Sequence, residues 1–176
     1  AVDSAAAAYF TGDLPGTEVV SDSGKLVLRG KALSSNTVYV KEGGDDLADG
    51  TPAAPLATLA GAFNRLACST GSYYTIRVRS DLKVRVVPRV KSNKTVTIRS
   101  DNGSGGVPAT PWVLQRGVNG VLFDLNNEEK LILEDITVDG NKTGMTNASE
   151  LVKLSKSDTL TLNSGATLRN NKGGGV

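Results

Sequence analysis

The feature that most constrains the fold is a repeat in the last third of the chain. Two pairs of apolar residues, with members two positions apart, recur after a shift of 29 residues that relates Phe123 to Val152. The pairs are Phe123 with Leu125, Leu131 with Leu133, Val152 with Leu154, and Leu160 with Leu162. A spacing of two predicts strands with one buried face, since a helix would need spacings of three and four.

A third pair extends the repeat. Ile136 and Val138 recur as Ala166 and Leu168 if one inserted residue, Gly165, is allowed. Each repeat therefore predicts three short strands. Units this small cannot enclose a core alone, so we expect them to stack as a solenoid with equivalent residues about 4.8 Å apart.

The paired residues should all face the core of that solenoid. On this basis Leu133→Ala and Leu162→Ala should each lower the free energy of unfolding by about 2 to 5 kcal/mol. Phe123 should lie beside Val152, and Leu131 beside Leu160, in parallel strands. Asn141 and Asn171 follow the strands at equivalent positions and should stack as an asparagine ladder at a turn.

The chain upstream of the repeat divides into two parts. Residues 1–35 do not match the repeat and form a lead-in, in which 18–20 and 25–28 could pair as a hairpin around a Ser-Gly turn. Residues 36–176 form the predicted solenoid. Within it, apolar residues at helical spacing predict an amphipathic helix over about 56–67 that caps the open end of the sheets.

Three segments resemble a known family. LILEDITVDGNK (131–142) and TLTLNSGATLRNNKGGGV (159–176) resemble the right-handed parallel β-helix of bacterial surface and secreted polysaccharide-active proteins, and the second is similar to the repeats of large bacterial surface adhesins. TVYVKEGGDDLADGTPAAPLATLAGAFNRL (37–66) is similar to the entry segment that precedes many such helices. The resemblance implies an all-β fold, a right-handed parallel β-helix with an N-terminal capping helix, related to polysaccharide lyases. The general rule for parallel crossovers also favours the right hand.

Composition excludes several classes of function. The chain has no histidine, so imidazole acid–base chemistry and Ser-His or Cys-His catalysis are excluded. Its one cysteine, Cys68, cannot form an internal disulfide, and packing is its simplest role. A net charge of +2 gives no indication of nucleic-acid binding, and no apolar run approaches the length of a membrane span.

An acidic loop follows the first strand of the 36–176 region. Asp45, Asp46 and Asp49 could supply oxygen ligands to calcium, the only cofactor we consider. Their spacing does not match an EF-hand, and Asp is also an ordinary turn residue, so a plain turn is the simpler interpretation.

A basic segment lies between Thr75 and Ser100, with eight Lys or Arg residues against Asp81. Arg77, Arg85 and Arg99 are the candidate ligand-binding residues, because outward side chains on stacked strands would form a row suited to an anionic glycan. The alternative is that this segment pairs with the acidic segment 124–139 at the surface, where each contact contributes little.

No catalytic motif is found. Glu134 and Asp135 are adjacent, so on a strand they should face opposite sides and could not act as a glycosidase pair. We therefore expect a non-catalytic display or adhesion module at the bacterial cell surface or outside the cell, with a glycan or other surface ligand and an undetermined oligomeric state. The alternative is the N-terminal part of a polysaccharide lyase or glycoside hydrolase, truncated at Val176, whose active coils lie further along.

Overall fold

The computed structural model describes residues 17–88, 93–125, 128–146, 149–155 and 157–173. Arg89 and Lys91 of the basic segment, residues 1–16 of the lead-in and the final residues 174–176 lie outside these ranges. Within them the chain is mostly β structure, with 36% strand and 7% helix.

In the described ranges, the elements are short strands interrupted by one helix. In chain order they are β1 (Thr17–Asp22), β2 (Lys25–Gly30), β3 (Thr37–Val40), α1 (Leu59–Cys68), β4 (Tyr73–Val78), β5 (Leu82–Val84), β6 (Thr95–Ser100), β7 (Val113–Arg116), β8 (Phe123–Asp124), β9 (Lys130–Glu134), β10 (Thr137–Asp139), β11 (Val152–Lys153), β12 (Thr159–Leu162) and β13 (Thr167–Arg169).

These strands are distributed over four sheets. Three are parallel, with the orders β12-β9-β6-β4-β3, β13-β10-β7-β5 and β11-β8. The fourth is the antiparallel pair β1-β2. Strands that follow one another in the chain after β4 enter different sheets, so each parallel neighbour is reached by a crossover.

The predicted right-handed parallel β-helix is wrong as an architecture. The strands form several separate parallel and antiparallel sheets rather than a single solenoid, and no closed or curled sheet is detected among the described residues. The physical reason is that apolar spacing fixes the register between two neighbouring strands. It carries no information about how strands are divided among sheets.

The residue pairings of the repeat are nevertheless present. Phe123 pairs with Val152 and Leu131 with Leu160, both in parallel register. Val138 pairs with Leu168, so the one-residue insertion is real. It is accommodated at Gly165, whose φ is +71° and where a Cβ would lie 2.2 Å from Asp135 Oδ1, a position that only glycine can occupy.

The hairpin in the lead-in is formed by β1 and β2. Asp22 pairs with Lys25, and the two turn residues, Ser23 and Gly24, have φ of 50° and 77°. Two successive positive φ values are the geometry of a type I′ turn, whose twist matches the strands that it joins.

Helix α1 forms where the apolar spacing predicts it. Thr58 is its N-cap and accepts a hydrogen bond from the Gly61 N–H, and Leu59, Phe63 and Leu66 are buried in the core. The helix does not itself pair with the edge of β3. That edge is covered by the segment before it, since Tyr39 N–H donates to Gly50 O (2.8 Å) and Leu56 N–H donates to Tyr39 O (2.9 Å).

The core is continuous from β3 to β11, but it is incomplete at the last strands. Leu133 is fully buried, whereas its register partner Leu162 is 49% exposed and Leu154 is 37% exposed. The expectation that all paired residues are buried is therefore wrong for these two leucines. Leu162 lies on β12, which among the described strands has a hydrogen-bonded neighbour on one side only.

Candidate functional site

The outer face of the five-stranded sheet is the surface on which most candidate residues meet. Alternate residues of β4, β6 and β9 point away from the core, so they stand in register as three rows. The rows are Tyr73-Thr95-Lys130-Thr159, Thr37-Thr75-Thr97-Ile132-Thr161 and Tyr39-Arg77-Arg99-Glu134. We call this surface the outer face.

One end of the outer face is an open groove. It lies at the amino ends of β6, β9 and β12 and is lined by Tyr73, Asn93, Thr95, Glu128, Lys130 and Ser157. Tyr73 is 71% exposed, which is unusual for a large aromatic side chain. The groove thus combines an exposed ring with hydroxyl, amide and charged groups.

A repeated turn shapes the wall of this groove. Asn93, Glu128 and Ser157 each lie two residues before a strand and have φ of 55°, 59° and 65°. Because the following strands are in register, these left-handed turns stack beside one another. Sequence analysis did not identify them, since only Asn is a typical residue for this conformation.

The other end of the outer face carries Arg77 and Arg99, which are register partners on β4 and β6. Arg77 donates to the Gly105 carbonyl (2.8 Å) and lies 3.3 Å from Asp101 Oδ2. Asp101 is fully buried and also accepts from the Gly103 N–H at 2.6 Å. Arg77 therefore holds the loop after β6 against the sheet.

Arg99 is engaged by the acidic segment, as the alternative interpretation expects. Its guanidinium lies 3.1 Å from Glu134 Oε1 and 3.8 Å from Asp135 Oδ2. The expectation that Glu134 and Asp135 face opposite sides is wrong. Asp135 has φ of +47°, so the chain leaves the strand geometry at this residue. Its carboxylate therefore lies near the Arg99 guanidinium, on the same side as Glu134.

Arg79 joins the same cluster, although sequence analysis did not single it out. Its guanidinium stacks 4.3 Å from the centre of the Tyr39 ring and lies 3.7 Å from Asp101 Oδ1. It also donates to the Pro52 carbonyl at 2.8 Å. Cation–π stacking and a buried carboxylate together fix this side chain, which therefore has a structural role.

The charges and hydrogen bonds of this cluster shift the pKa of one carboxyl group, that of Asp101. Burial alone would raise the pKa of Asp101, but the Gly103 N–H, the charge of Arg79 and the hydrogen bond from Arg77 act together in the opposite direction. The net effect is a pKa below the ordinary value of 3.8. Asp101 is therefore ionised at neutral pH.

Arg85, the third candidate, is placed apart from the other two. It follows β5, which belongs to the four-stranded sheet and ends at Val84. Arg85 is exposed and borders a small pocket of about 70 Å³ beside the first turn of α1. The three candidate arginines do not form one row.

The three aspartates of the acidic loop are each held separately. Asp45 accepts from the Leu47 N–H within its own turn (2.9 Å), and Asp49 pairs with Lys31. Asp46 accepts from the Ala57 and Thr58 N–H groups at 2.9 Å each, at the start of α1. Among the described residues, no group of three or more His, Cys, Asp or Glu is arranged to hold a metal ion.

A buried cation, Arg116, was also missed by sequence analysis. It is fully buried, donates to the Ser149 carbonyl (3.2 Å) and to Asn171 Oδ1 (3.1 Å), and its own carbonyl accepts from Asn141 Nδ2 (3.1 Å). Asn141 binds the Arg116 carbonyl, and Asn171 binds the Arg116 guanidinium and donates from Nδ2 to the Ser149 carbonyl. Burial lowers the pKa of Arg116, and the charge of Glu150 partly opposes this.

Comparison of the chain with protein-family models, with curated proteins and with solved structures finds no match in any of the three. The resemblance to adhesin repeats therefore stays a prediction from the sequence. The site has to be interpreted from its own geometry.

Among the described residues, no helix has the length and apolar character needed to cross a membrane.

Proposed function

We propose that this chain is a non-catalytic binding module that presents the outer face of its five-stranded sheet to a glycan. The observation that carries the proposal is Tyr73, whose exposed ring stands in register with Thr95 and Lys130 beside an open polar groove. Exposed aromatic rings are typical of binding surfaces, because they offer a large contact area and lose little side-chain entropy when a ligand binds.

The chemistry of the groove fits a polyhydroxylated ligand. A tyrosine ring offers a flat apolar surface for the C–H face of a sugar, and its hydroxyl can donate or accept. Asn93, Thr95 and Ser157 add donors and acceptors within the same groove. From Tyr73 to Thr159 the row crosses four parallel strands, or roughly 14 Å, which suits several consecutive sugar units.

The charge that could select an anionic glycan lies at Lys130 rather than at the predicted arginines. Lys130 is exposed and lines the groove. Arg77 and Arg99 are instead compensated by Asp101 and Glu134. We therefore expect the module to bind neutral and uronate glycans alike, with Lys130 adding a salt-dependent preference for the uronate.

The test is isothermal titration of the 176-residue chain with a neutral gluco-oligosaccharide and an oligogalacturonate of the same length. Tyr73→Ala should weaken binding of both ligands at least tenfold, and Tyr73→Phe, which keeps the ring, should bind nearly as the parent. Lys130→Ala should weaken binding of the uronate only. The side chains are exposed, so folding should be preserved and can be checked by circular dichroism.

Two results would overturn the proposal. One is equal affinity of Tyr73→Ala and the parent chain for both ligands, and the other is no binding of either ligand. Release of unsaturated uronate products during the titration would instead favour the lyase alternative.

A further inference from the structure

The dipeptide Asn-Gly occurs twice in the chain, at Asn102-Gly103 and at Asn119-Gly120. In this dipeptide the backbone nitrogen of the glycine can attack the side-chain amide carbon of the asparagine, because glycine has no Cβ to hinder the approach. Both asparagines are exposed. Exposure therefore does not distinguish the two sites, and the difference between them lies in their hydrogen bonds.

At the first site the attacking nitrogen is engaged. The Gly103 N–H donates to Oδ1 of Asp101 at 2.6 Å, and Asp101 is fully buried. Attack requires that the Gly103 nitrogen lose its proton. A carboxylate in direct contact opposes that loss, since a second negative charge would form beside it. The nucleophile at this site is therefore blocked.

The side chain of Asn102 is also held in place. Its Oδ1 accepts from the N–H groups of Ser104 at 2.9 Å and Gly106 at 3.1 Å. The Asn102 N–H donates to the Gly106 carbonyl at 3.0 Å. These three bonds fix the amide within the loop 102–106, so its carbon can reach the Gly103 nitrogen only if the loop opens.

The second site lies in the loop between β7 and β8 and is held much less firmly. Asn119 Oδ1 accepts from Thr146 Oγ1 at 3.4 Å, which is long for a hydrogen bond between oxygens. Within the described part of the chain, the Gly120 N–H donates no hydrogen bond. Gly120 has φ of +106°, and a Cβ placed on it would meet no atom within 4 Å. The peptide unit between the two residues therefore has space to turn toward the side chain.

We propose that Asn119 is a site of spontaneous deamidation in the folded chain and that the loop around Asp101 protects Asn102. The Gly120 nitrogen gives its proton to a solvent base and bonds to Asn119 Cγ. The bond from Cγ to the side-chain nitrogen then breaks, and that nitrogen takes up a proton and leaves as ammonia. A water molecule opens the resulting cyclic imide at either carbonyl, which gives aspartate or isoaspartate.

The conversion changes the charge of the loop. A neutral amide becomes a carboxylate, so the formal net charge of +2 falls by one. The isoaspartate product also carries an additional carbon in the backbone between β7 and β8. This inference goes beyond glycan binding and does not depend on it.

The test is peptide mapping by mass spectrometry after the folded chain has been kept in mildly alkaline buffer. Trypsin cleaves after Arg99, Arg116 and Lys130, so the two sites fall in separate peptides, 100–116 and 117–130. Fragmentation assigns the modified residue within each peptide. Digestion at mildly acidic pH in heavy-oxygen water marks any conversion that occurs during the digestion itself.

The folded chain should convert Asn119 at least tenfold faster than Asn102. In concentrated urea the loop contacts are lost, and both asparagines should convert at similar rates. Ion exchange should show a more acidic form accumulating in the parent chain and in Asn102→Gln. That form should be absent from Asn119→Gln, because attack on the longer side chain closes a less favourable ring.

Two results would overturn the proposal. One is an Asn119 that stays intact in the folded chain over a period in which it converts in urea. The other is conversion of Asn102 and Asn119 at equal rates in the folded chain, which would mean that the contacts of Asp101 protect nothing.

Discussion

Arg77 and Arg99 are register partners on adjacent parallel strands, and each guanidinium is compensated by a carboxylate from outside its own strand. Asp101 contacts Arg77 and Glu134 contacts Arg99. Like charges directly opposite one another in a sheet repel, so this pattern allows two arginines to stand side by side. It also accounts for why Arg77 and Arg99 do not form a free basic row.

Asp101→Asn should be strongly destabilising. Asp101 is fully buried between Arg77 and Arg79, and removing its charge leaves two guanidinium groups without their counter-ion. We expect the free energy of unfolding to fall by about 3 kcal/mol. Urea unfolding followed by circular dichroism measures this. Asp22→Asn, in the exposed hairpin turn, is the control and should change stability by less than about 0.5 kcal/mol.

Stability should depend on pH in the acid range through Asp101 and Asp139. Burial opposes ionisation of both, but hydrogen bonds and arginine charges hold each pKa below 3.8. A carboxyl with a lowered folded pKa contributes stability that is complete well above its unfolded pKa of about 3.9. That stability is lost as the pH falls through the folded pKa.

Urea unfolding at a series of pH values checks this expectation. The free energy of unfolding should be level from neutral pH to about pH 5 and should then decline. Asp101→Asn should show a shallower decline, since one of the two groups is gone. An identical slope in the variant would contradict the assignment of this effect to Asp101.

Leu133→Ala should lower the free energy of unfolding by about 2 to 5 kcal/mol. Leu133 is fully buried between Ile98 and Leu162 in the register of the five-stranded sheet, so truncation leaves a cavity. Leu47→Ala is a matched control, because Leu47 is 54% exposed in a loop. Thermal and urea unfolding of the two variants should differ clearly, and equal losses would show that Leu133 is not in the core.

Arg116→Met should be destabilising although it keeps an unbranched side chain of similar length. The substitution removes a buried guanidinium that donates to the carbonyls of Ser149 and Glu150 and to Asn171 Oδ1. Each unsatisfied buried acceptor costs about 1–3 kcal/mol. Gln115→Met, on the exposed side of the same strand, should be nearly neutral. Chemical denaturation compares the two, and equal stability would mean that Arg116 contributes no net stabilisation.

The repeat shows which features of the fold a local sequence pattern can predict. The spacing of Leu131 and Leu133 predicted the strands and their pairing with Leu160 and Leu162, because a one-residue slip would turn each leucine outward. It did not predict that Leu162 would be half exposed, since burial depends on whether another strand follows in space. It also gave no sign that the strands divide among separate sheets.

The candidate site shows the same limit. Outward placement of Arg77 followed from alternation along a strand, but its partner Asp101 lies 24 residues away and meets it only in the folded chain. Asp135 reaches Arg99 because of a positive φ that adjacency to Glu134 does not reveal. Tyr73 was not singled out, since an aromatic residue at a strand start has no signal that distinguishes an exposed ring from a buried one.

The amino-acid sequence by itself determined the mostly β character, the register of the repeat, the hairpin turn and the position of α1. These features depend on residues close together in the chain or on strict periodicity, and both leave a pattern that can be recognised. Only the tertiary structure decided which arginines are compensated, how the strands are grouped and which leucines of the repeat are exposed. Those outcomes depend on contacts between distant segments, whose energies are set by geometry that no local pattern encodes.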